Sequence, residues 1–337
     1  MASSTLTVQG LIDYSRVFPW AIPVTGVAGY GLEPALSFAN DVMQKIISQA
    51  NPWKWNSNPV PVFYTQPYQQ DYPTNISQNV MGWLESATLI DINNTQSPKP
   101  QPPVQCVARL LPVDYCGIPT EICWVPNTTA IFGTWPGPGE TYTYPVTNSS
   151  NEGGPANNPV TAILDTNGNI QLVTTYGTTG TSVPDWPAAG ATVGTQTTDG
   201  TVVWTLMDPN GVSIRLNALA TNESQVFQIT PIYQQKPPVI STLSQTFAPI
   251  PDDLGYLVKQ GFMAYCSKIV DHQRFNEEFP QWLADIQEAM IGSDREPQEY
   301  SVYPAESLQG TGSTQPGGYS YVGWEGWRRF IVIKCAR

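Results

Sequence analysis

The clearest alternation of apolar and polar positions runs from Pro251 to Gly292, PDDLGYLVKQGFMAYCSKIVDHQRFNEEFPQWLADIQEAMIG. Leu254, Leu257, Val258, Phe262, Tyr265 and Ile269 recur at three- and four-residue steps, and Phe275, Phe279, Trp282, Leu283, Ile286 and Met290 repeat the pattern after a break. That is the period of helices with one apolar face. Asp252 and Asp253 stand where acids stabilise the positive end of a helix, and Gly292 where a helix takes a left-handed cap. Pro280 lacks a backbone donor and crowds the turn before it, so it either opens a second helix or kinks one long helix. The spacing favours two helices, at 252–273 and 278–291.

An earlier helix is predicted at 34–50, where Pro34 takes a first-turn place and Leu36, Ala39, Met43, Ile46 and Ile47 form one face. Residues 1–30 carry a brief apolar pattern, Leu11, Ile12, Tyr14, Val17 and Phe18, ended by Pro19 and Pro23, which reads as a short helix on a mostly extended arm. The stripe of 34–50 meets no comparable stripe before residue 251, so the three helices are expected to pack as one small bundle. Everything between is then an excursion from that bundle.

The excursion reads as strands. VPVFYTQPYQQDYP is extended and aromatic, and WLESATLIDINNT and VQCVARLLPVDYC alternate as a pair of strands would. Two further runs, Ile214–Leu219 and Gln225–Ile232, lie on the far side. Between them, residues 124–208 are almost free of charge and punctuated by Asn167-Gly168 and Asp199-Gly200, with Asn210-Gly211 just beyond, the turn chemistry of a small β module. The fold class expected is α+β: a helical bundle with a β region and an inserted all-β module. The domain reading is 1–123 with 209–300 as a discontinuous host, 124–208 as the insert and 301–337 as an extended tail.

Composition sharpens this picture. Charged residues make up 12% of the 337, about half the usual share of roughly 25%, while 32 Pro and 27 Gly accompany 11 Trp and 16 Tyr. Such a chain is rich in loops and strands outside its helices. With 41% hydrophobic residues it has enough apolar surface to fold. The net charge of −12 argues against a general nucleic-acid binder, and no sequence-specific nucleic acid is expected as a partner. No run approaches the length of apolar residues that crosses a bilayer, and no charged segment followed by an apolar run opens the chain, so neither a membrane span nor a signal peptide is expected.

Candidate chemistry is sparse. Cys106, Cys116, Cys123, Cys266 and Cys335 form no CxxC pair, and His272 is the one histidine. Buried thiols are therefore expected rather than a zinc site, with no metal or cofactor. No Walker loop, dinucleotide fingerprint, GxSxG elbow or HExxH occurs. Paired carboxylates for glycoside cleavage can be composed from Glu140, Asp165, Asp185 or Asp199, but any acidic chain offers such pairs. Trp135 and Trp186, flanked by Pro and Gly, are candidate sugar-stacking platforms. The alternative is that Trp124, Trp186 and Trp204 are the aromatic core of a small module.

Two resemblances follow from particular residues. Trp124-Val-Pro-Asn-Thr, then Gly177-Thr-Thr-Gly-Thr-Ser-Val-Pro-Asp-Trp-Pro, then Asp199-Gly-Thr-Val-Val-Trp204 resemble a small β module of phage tail and baseplate proteins, one similar to chitinase-type carbohydrate-binding modules. This copy departs from that pattern by a Gly/Pro/Asn-rich expansion at 136–159. The host resembles the head-to-tail adaptors of short-tailed phages. The resemblance rests on the early helix ending in Pro52-Trp-Lys-Trp55, on Gln70-Asp71-Tyr72, and on the helical return that begins Ala248-Pro-Ile-Pro251. It implies a non-enzymatic virion protein, made in the host cytoplasm and placed at the head–tail junction. The implied assembly is a twelvefold homo-oligomeric ring joining the portal protein to nozzle or fibre proteins of the tail. A carbohydrate-binding tail or receptor-recognition protein is the alternative, with a glycan as partner, and a tail-associated hydrolase stands third.

The end of the chain adds a partner-binding candidate. SLQGTGSTQPGG is a linker, and GWEGWRRFIVIKCAR beyond it brings Trp324, Trp327 and Phe330 as apolar anchors with Arg328, Arg329, Lys334 and Arg337 as charge for an acidic neighbour. Its Phe-Ile-Val-Ile run suits either an edge strand of its own subunit or strand addition to another chain.

Overall fold

A computed structural model of the chain describes residues 5–18, 31–49, 52–66, 69–92, 99–100, 104–108, 115–142, 161–219 and 226–294. The chain enters through α1 (Val8–Ser15) and α2 (Ala35–Ile47). It then lays down β1 (Ser57–Pro59), β2 (Phe63–Tyr64), β3 (Asp71–Ser77), β4 (Met81–Asp91), β5 (Lys99–Pro100), β6 (Gln105–Cys106), β7 (Tyr115–Cys116) and β8 (Glu121–Pro126). The insert supplies β9 (Gly133–Thr134), β10 (Ala162–Leu164), β11 (Ile170–Thr175), β12 (Gln196–Asp199) and β13 (Val202–Leu206). The return runs through β14 (Gly211–Leu216), β15 (Ala218–Leu219) and β16 (Phe227–Gln235) to α3 (Gly255–Val270) and α4 (His272–Asp294). The class is α+β, as the periodicities indicate.

One apolar core draws on the first and the last described helices. Val8, Leu11 and Ile12 of α1 and the stripe of α2 meet Leu257, Val258, Phe262 and Cys266 of α3 and Trp282 and Ile286 of α4. Phe38 stacks on Tyr265 and meets Phe262 edge-on, and Trp53, just past α2, donates its indole N–H to the Ile46 carbonyl at 2.6 Å. Ile269, on the predicted stripe, is 59% exposed in the last turn of its helix.

The helix boundaries differ from the pattern. Asp252 and Asp253 lie in a short 3-10 turn, Asp252–Leu254, ahead of α3, where Asp252 accepts from the Thr5 backbone N–H and hydroxyl. The break between α3 and α4 falls at Asp271, not at Pro280: Asp271 is extended and its Oδ1 accepts from the Gln273 and Arg274 N–H groups at 3.1 Å, capping α4. α4 then runs unbroken through Pro280 and past Gly292. Pro280 and Asn276, whose carbonyl loses its i+4 donor, are both exposed, a setting in which a helix tolerates the bond that proline cannot make.

Two sheets share the second core. β1-β16-β4-β5, with β2 also on β16, faces β3-β14-β8-β6, and Met81, Leu84, Leu89, Ile122, Ile214, Leu216, Phe227 and Ile229 fill the space between. Alternation predicts that 83–95 pairs with 104–116, but β4 pairs along its length with β16, and its ladder pairing with the other run is the single Ala87–Val104 bridge among the described residues. Alternation fixes which face of a strand is apolar and leaves its neighbour open. β15 pairs with β7 in a separate ribbon.

Gln234 joins the two cores. Buried on β16, it accepts from the Trp53 N–H at 3.3 Å and donates to the Trp53 carbonyl, Ser57 Oγ and Glu85 Oε2 at 3.1, 2.9 and 2.7 Å. A third, smaller core belongs to the insert's own sheet, β12-β13-β11-β10-β9.

Candidate functional site

The insert is organised around one carboxylate. Asp199, at the β12–β13 turn, accepts from the indole N–H of Trp135 at 2.9 Å and of Trp204 at 3.3 Å on Oδ2, and from the Gly180 N–H at 2.7 Å on Oδ1. Gly200 follows at φ +64°, where a Cβ would run into the Thr178 carbonyl. The same carbonyl accepts from the Thr201 N–H at 2.9 Å, while Thr201 Oγ1 accepts from the Thr178 N–H at 2.7 Å. The two motifs, Gly177-Thr-Thr-Gly and Asp199-Gly-Thr, are thus halves of one hydrogen-bonded knot. Tyr142 and Trp186 each meet Trp204 edge-on, at 5.4 and 5.8 Å. Burial, reinforced by Asp199, pushes the Tyr142 phenol far above its ordinary pKa.

A second carboxylate orders the β10–β11 hairpin. Asp165 accepts from the Asn167 and Asn169 N–H groups at 2.8 and 2.9 Å on Oδ1, and from the Asn169 and Gln171 side-chain amides at 3.1 and 2.9 Å on Oδ2. Asn167 and Asn169 also donate to the Pro187 carbonyl at 2.9 and 2.8 Å, tying the hairpin to the Asp185-Trp186-Pro187 segment. Asp165 and Asp199 therefore each commit both oxygens to protein donors. Asp185 and Glu140 are exposed.

The tryptophans divide accordingly. Trp186 is 6% exposed and its faces are covered by the insert's core, so it offers no stacking face. Trp135 packs against the same core half-buried, with its N–H committed to Asp199. Trp124, grouped with the insert by its motif, instead sits on β8, opposite Ile214 of β14, and packs on the host's β core beneath the Lys236 ammonium. Of the host tryptophans, Trp53 is fully buried and Trp83 is 40% exposed.

The insert is mounted on β3, through residues that periodicity did not mark. Asp71, wholly buried, receives Arg215 as a bidentate pair, Nε to Oδ1 and Nη2 to Oδ2, both at 2.7 Å. Its Oδ2 also accepts the Ile131 N–H at 2.5 Å. Hydrogen bonding to Asp71 raises the Arg215 pKa above its ordinary value. Gln69 Oε1 accepts the Thr161 N–H and hydroxyl at 2.8 and 2.9 Å. Asn127 donates to the Asp208 carbonyl and accepts from Ser213 Oγ, both at 2.7 Å. One signal was present: residues 110–214 contain no Lys or Arg, so Arg215, alone in the apolar run SIRLNAL, demanded a carboxylate.

The helical core bears a cleft of about 390 Å³ between α1, α3 and α4, with Met263 and Trp282 beneath and Tyr14, Tyr256, Lys259 and Asp285 around it. His272, the first residue of α4, is exposed. Cys106, Cys123 and Cys266 are not in disulfides, and among the described residues no group of three or more His, Cys, Asp or Glu side chains gathers to hold a metal ion. No described helix is long and apolar enough to cross a membrane. Trp324, Trp327, Arg328, Arg329, Phe330, Lys334 and Arg337 lie outside the described residues. No protein-family model matches the chain, and no curated protein matches it.

Proposed function

We propose that the chain is a structural protein of a tailed-phage virion, an adaptor at the head–tail junction whose copies assemble into a ring between portal and tail. The observation that carries this reading is how the chain is divided. α1 and α2 close with α3 and α4 into one helical core, to which Trp53, Ile240, Phe247 and Ile250 also contribute, and the described strands between α2 and α3 build two further cores. A ring subunit that meets different neighbours at its two ends needs two such surfaces, and what the adaptor resemblance implies is that the helical one meets the portal. The tail segment from Trp324 to Arg337, basic where the rest of the chain is acidic, is the proposed strap to a neighbouring chain, through strand addition and apolar anchors.

Mixing the full-length protein with the portal protein of the same virus and imaging by negative-stain electron microscopy tests the reading. The expected result is a ring of about twelve subunits, free or seated on the portal. A protein that stays monomeric at every concentration and ignores the portal would overturn it. Retention of that monomer on chitin resin would favour the carbohydrate-binding alternative, for which the half-buried ring of Trp135 is the remaining platform.

A further inference from the structure

We infer that the insert is a fixed projection rather than a tethered one, and that the host segment Gln69–Asp71 is the bracket that holds it. The chain leaves the host sandwich at the end of β8 and returns at the start of β14, and the two strands are paired to their ends, Pro126 opposite Val212. Backbone alone would let a module on two adjacent strands pivot. Side chains of one short host segment block that pivot by gripping the insert on both of its inner connections. Asp71 holds the outgoing chain at Ile131, and Gln69, two residues earlier, holds the chain ahead of β10 at Thr161. Gln69 also donates to the Asp71 carbonyl at 3.1 Å, so the grips are coupled.

The bracket is cross-linked around the buried side chains of Gln69, Asp71 and Tyr72. Gln70 exchanges hydrogen bonds with Leu216 of β14, backbone and side chain, at 3.1 and 3.2 Å. The Tyr72 hydroxyl donates to the Gln69 carbonyl at 3.1 Å and accepts from the Gln66 N–H at 2.8 Å. The negative charge of Asp71 is balanced in place by Arg215, whose Nη2 also reaches the Thr129 carbonyl at 3.4 Å on the outgoing chain. A buried carboxylate with two guanidinium bonds and one backbone N–H is a strong, directional anchor. Gln70-Asp71-Tyr72 thus acts inside the subunit, fixing the angle at which the insert stands. None of the bracket residues belongs to the insert's own core, so the bracket can be released without unfolding what it holds.

Hydrogen exchange on the full-length protein, read by mass spectrometry, tests this with Asp71→Asn and, to avoid an unpaired buried guanidinium, with Asp71→Asn/Arg215→Gln. In both variants, peptides covering Ile131 and Thr161 should exchange about tenfold faster or more. Peptides covering Val202–Leu206 of the insert and Leu257–Cys266 of the helical core should keep their wild-type protection. Unchanged exchange at Ile131 and Thr161 in the double variant would show that the bracket does not hold the insert. Loss of protection in all three cores together, in both variants, would show that Asp71 supports the whole fold and is no bracket. The readout needs neither ring nor portal, so it succeeds or fails independently of the adaptor reading.

Discussion

The indole of Trp282 on α4 occupies the space that a side chain at Gly261 on α3 would fill: a Cβ at 261 would collide with three ring atoms. The same indole donates to the Leu257 carbonyl at 2.8 Å, one turn earlier on α3. The two helices approach closely at this point because glycine leaves room, and the ring that fills the room fixes their register by a hydrogen bond.

Gly261→Ala should therefore destabilise the protein even though alanine is the better helix former by about 1 kcal/mol. Overpacking against a ring already in place outweighs that gain, for a net loss of about 2 kcal/mol. Urea unfolding followed by far-UV circular dichroism measures it. A more stable Gly261→Ala protein would mean that the helices separate there at little cost.

Deleting an aromatic ring from the same core is expected to cost more. Phe262→Ala, at a fully buried position in edge contact with Phe38, should lose about 3–5 kcal/mol. Trp282→Ala should lose a similar amount. Near-wild-type melting of both would place the centre of the fold elsewhere.

Stability should fall on the alkaline side. Burial lifts the Cys266 thiol from 9.0 to about 12, and burial with Asp41 nearby lifts the Tyr265 phenol from 10.0 to about 12. The folded molecule keeps protons that the unfolded chain releases, so the contribution is complete below about pH 9 and is lost as pH rises toward about 12. Urea midpoints measured from pH 7 upward should stay level and then decline. In Cys266→Ala the decline should be shallower; an identical slope would mean that the thiol titrates freely in the folded state.

Within the insert, Asp199→Asn leaves one oxygen to serve three donors, two of them indoles. Loss of about 2–3 kcal/mol is expected, the scale for stranding a buried donor. Tryptophan fluorescence should report it, because Trp135 and Trp204 both bond to that carboxylate.

Removal of the insert depends on where the cuts fall. The motif boundary, 124–208, would remove Trp124–Pro126 from β8, three of its five residues paired with β14. Deleting 133–206 and closing the gap with a short Gly-Ser linker keeps β8, Asn127 and the Ile131 contact, and loop closure varies only weakly with length. The second deletion should be soluble and retain the helical core, and the first should aggregate. Equal behaviour of the two would show that β8 is dispensable.

Truncation after Gly318 removes the proposed strap. The melting temperature should be unchanged, while ring assembly or portal attachment is lost. Docking as tight as that of the full chain would refute a role for Trp324–Arg337 in partner binding.

Much of this protein was legible in the order of its residues. Helical periods mark α2, α3 and α4, and the lack of a comparable stripe before residue 251 predicts that α2 packs with α3 and α4. Asn-Gly and Asp-Gly place the β10–β11 and β12–β13 hairpins, since Gly168 and Gly200 both have positive φ. These features are local or depend on one face per element, and side-chain periodicity encodes them directly.

Tertiary structure decided what periodicity cannot express. It chose β16 over 104–116 as the partner of β4, because an apolar face fits any complementary strand. It let α4 run through Pro280, where both Pro280 and Asn276 are exposed, and it put the break at Asp271, whose side chain caps the next helix. It gave Trp124 to the host and Trp186 to the insert's core, a division that motif order hides. Above all it brought Asp71 to Arg215, 144 residues away in the chain. A buried charge needs its partner in space, and no sequence spacing records which residue that is.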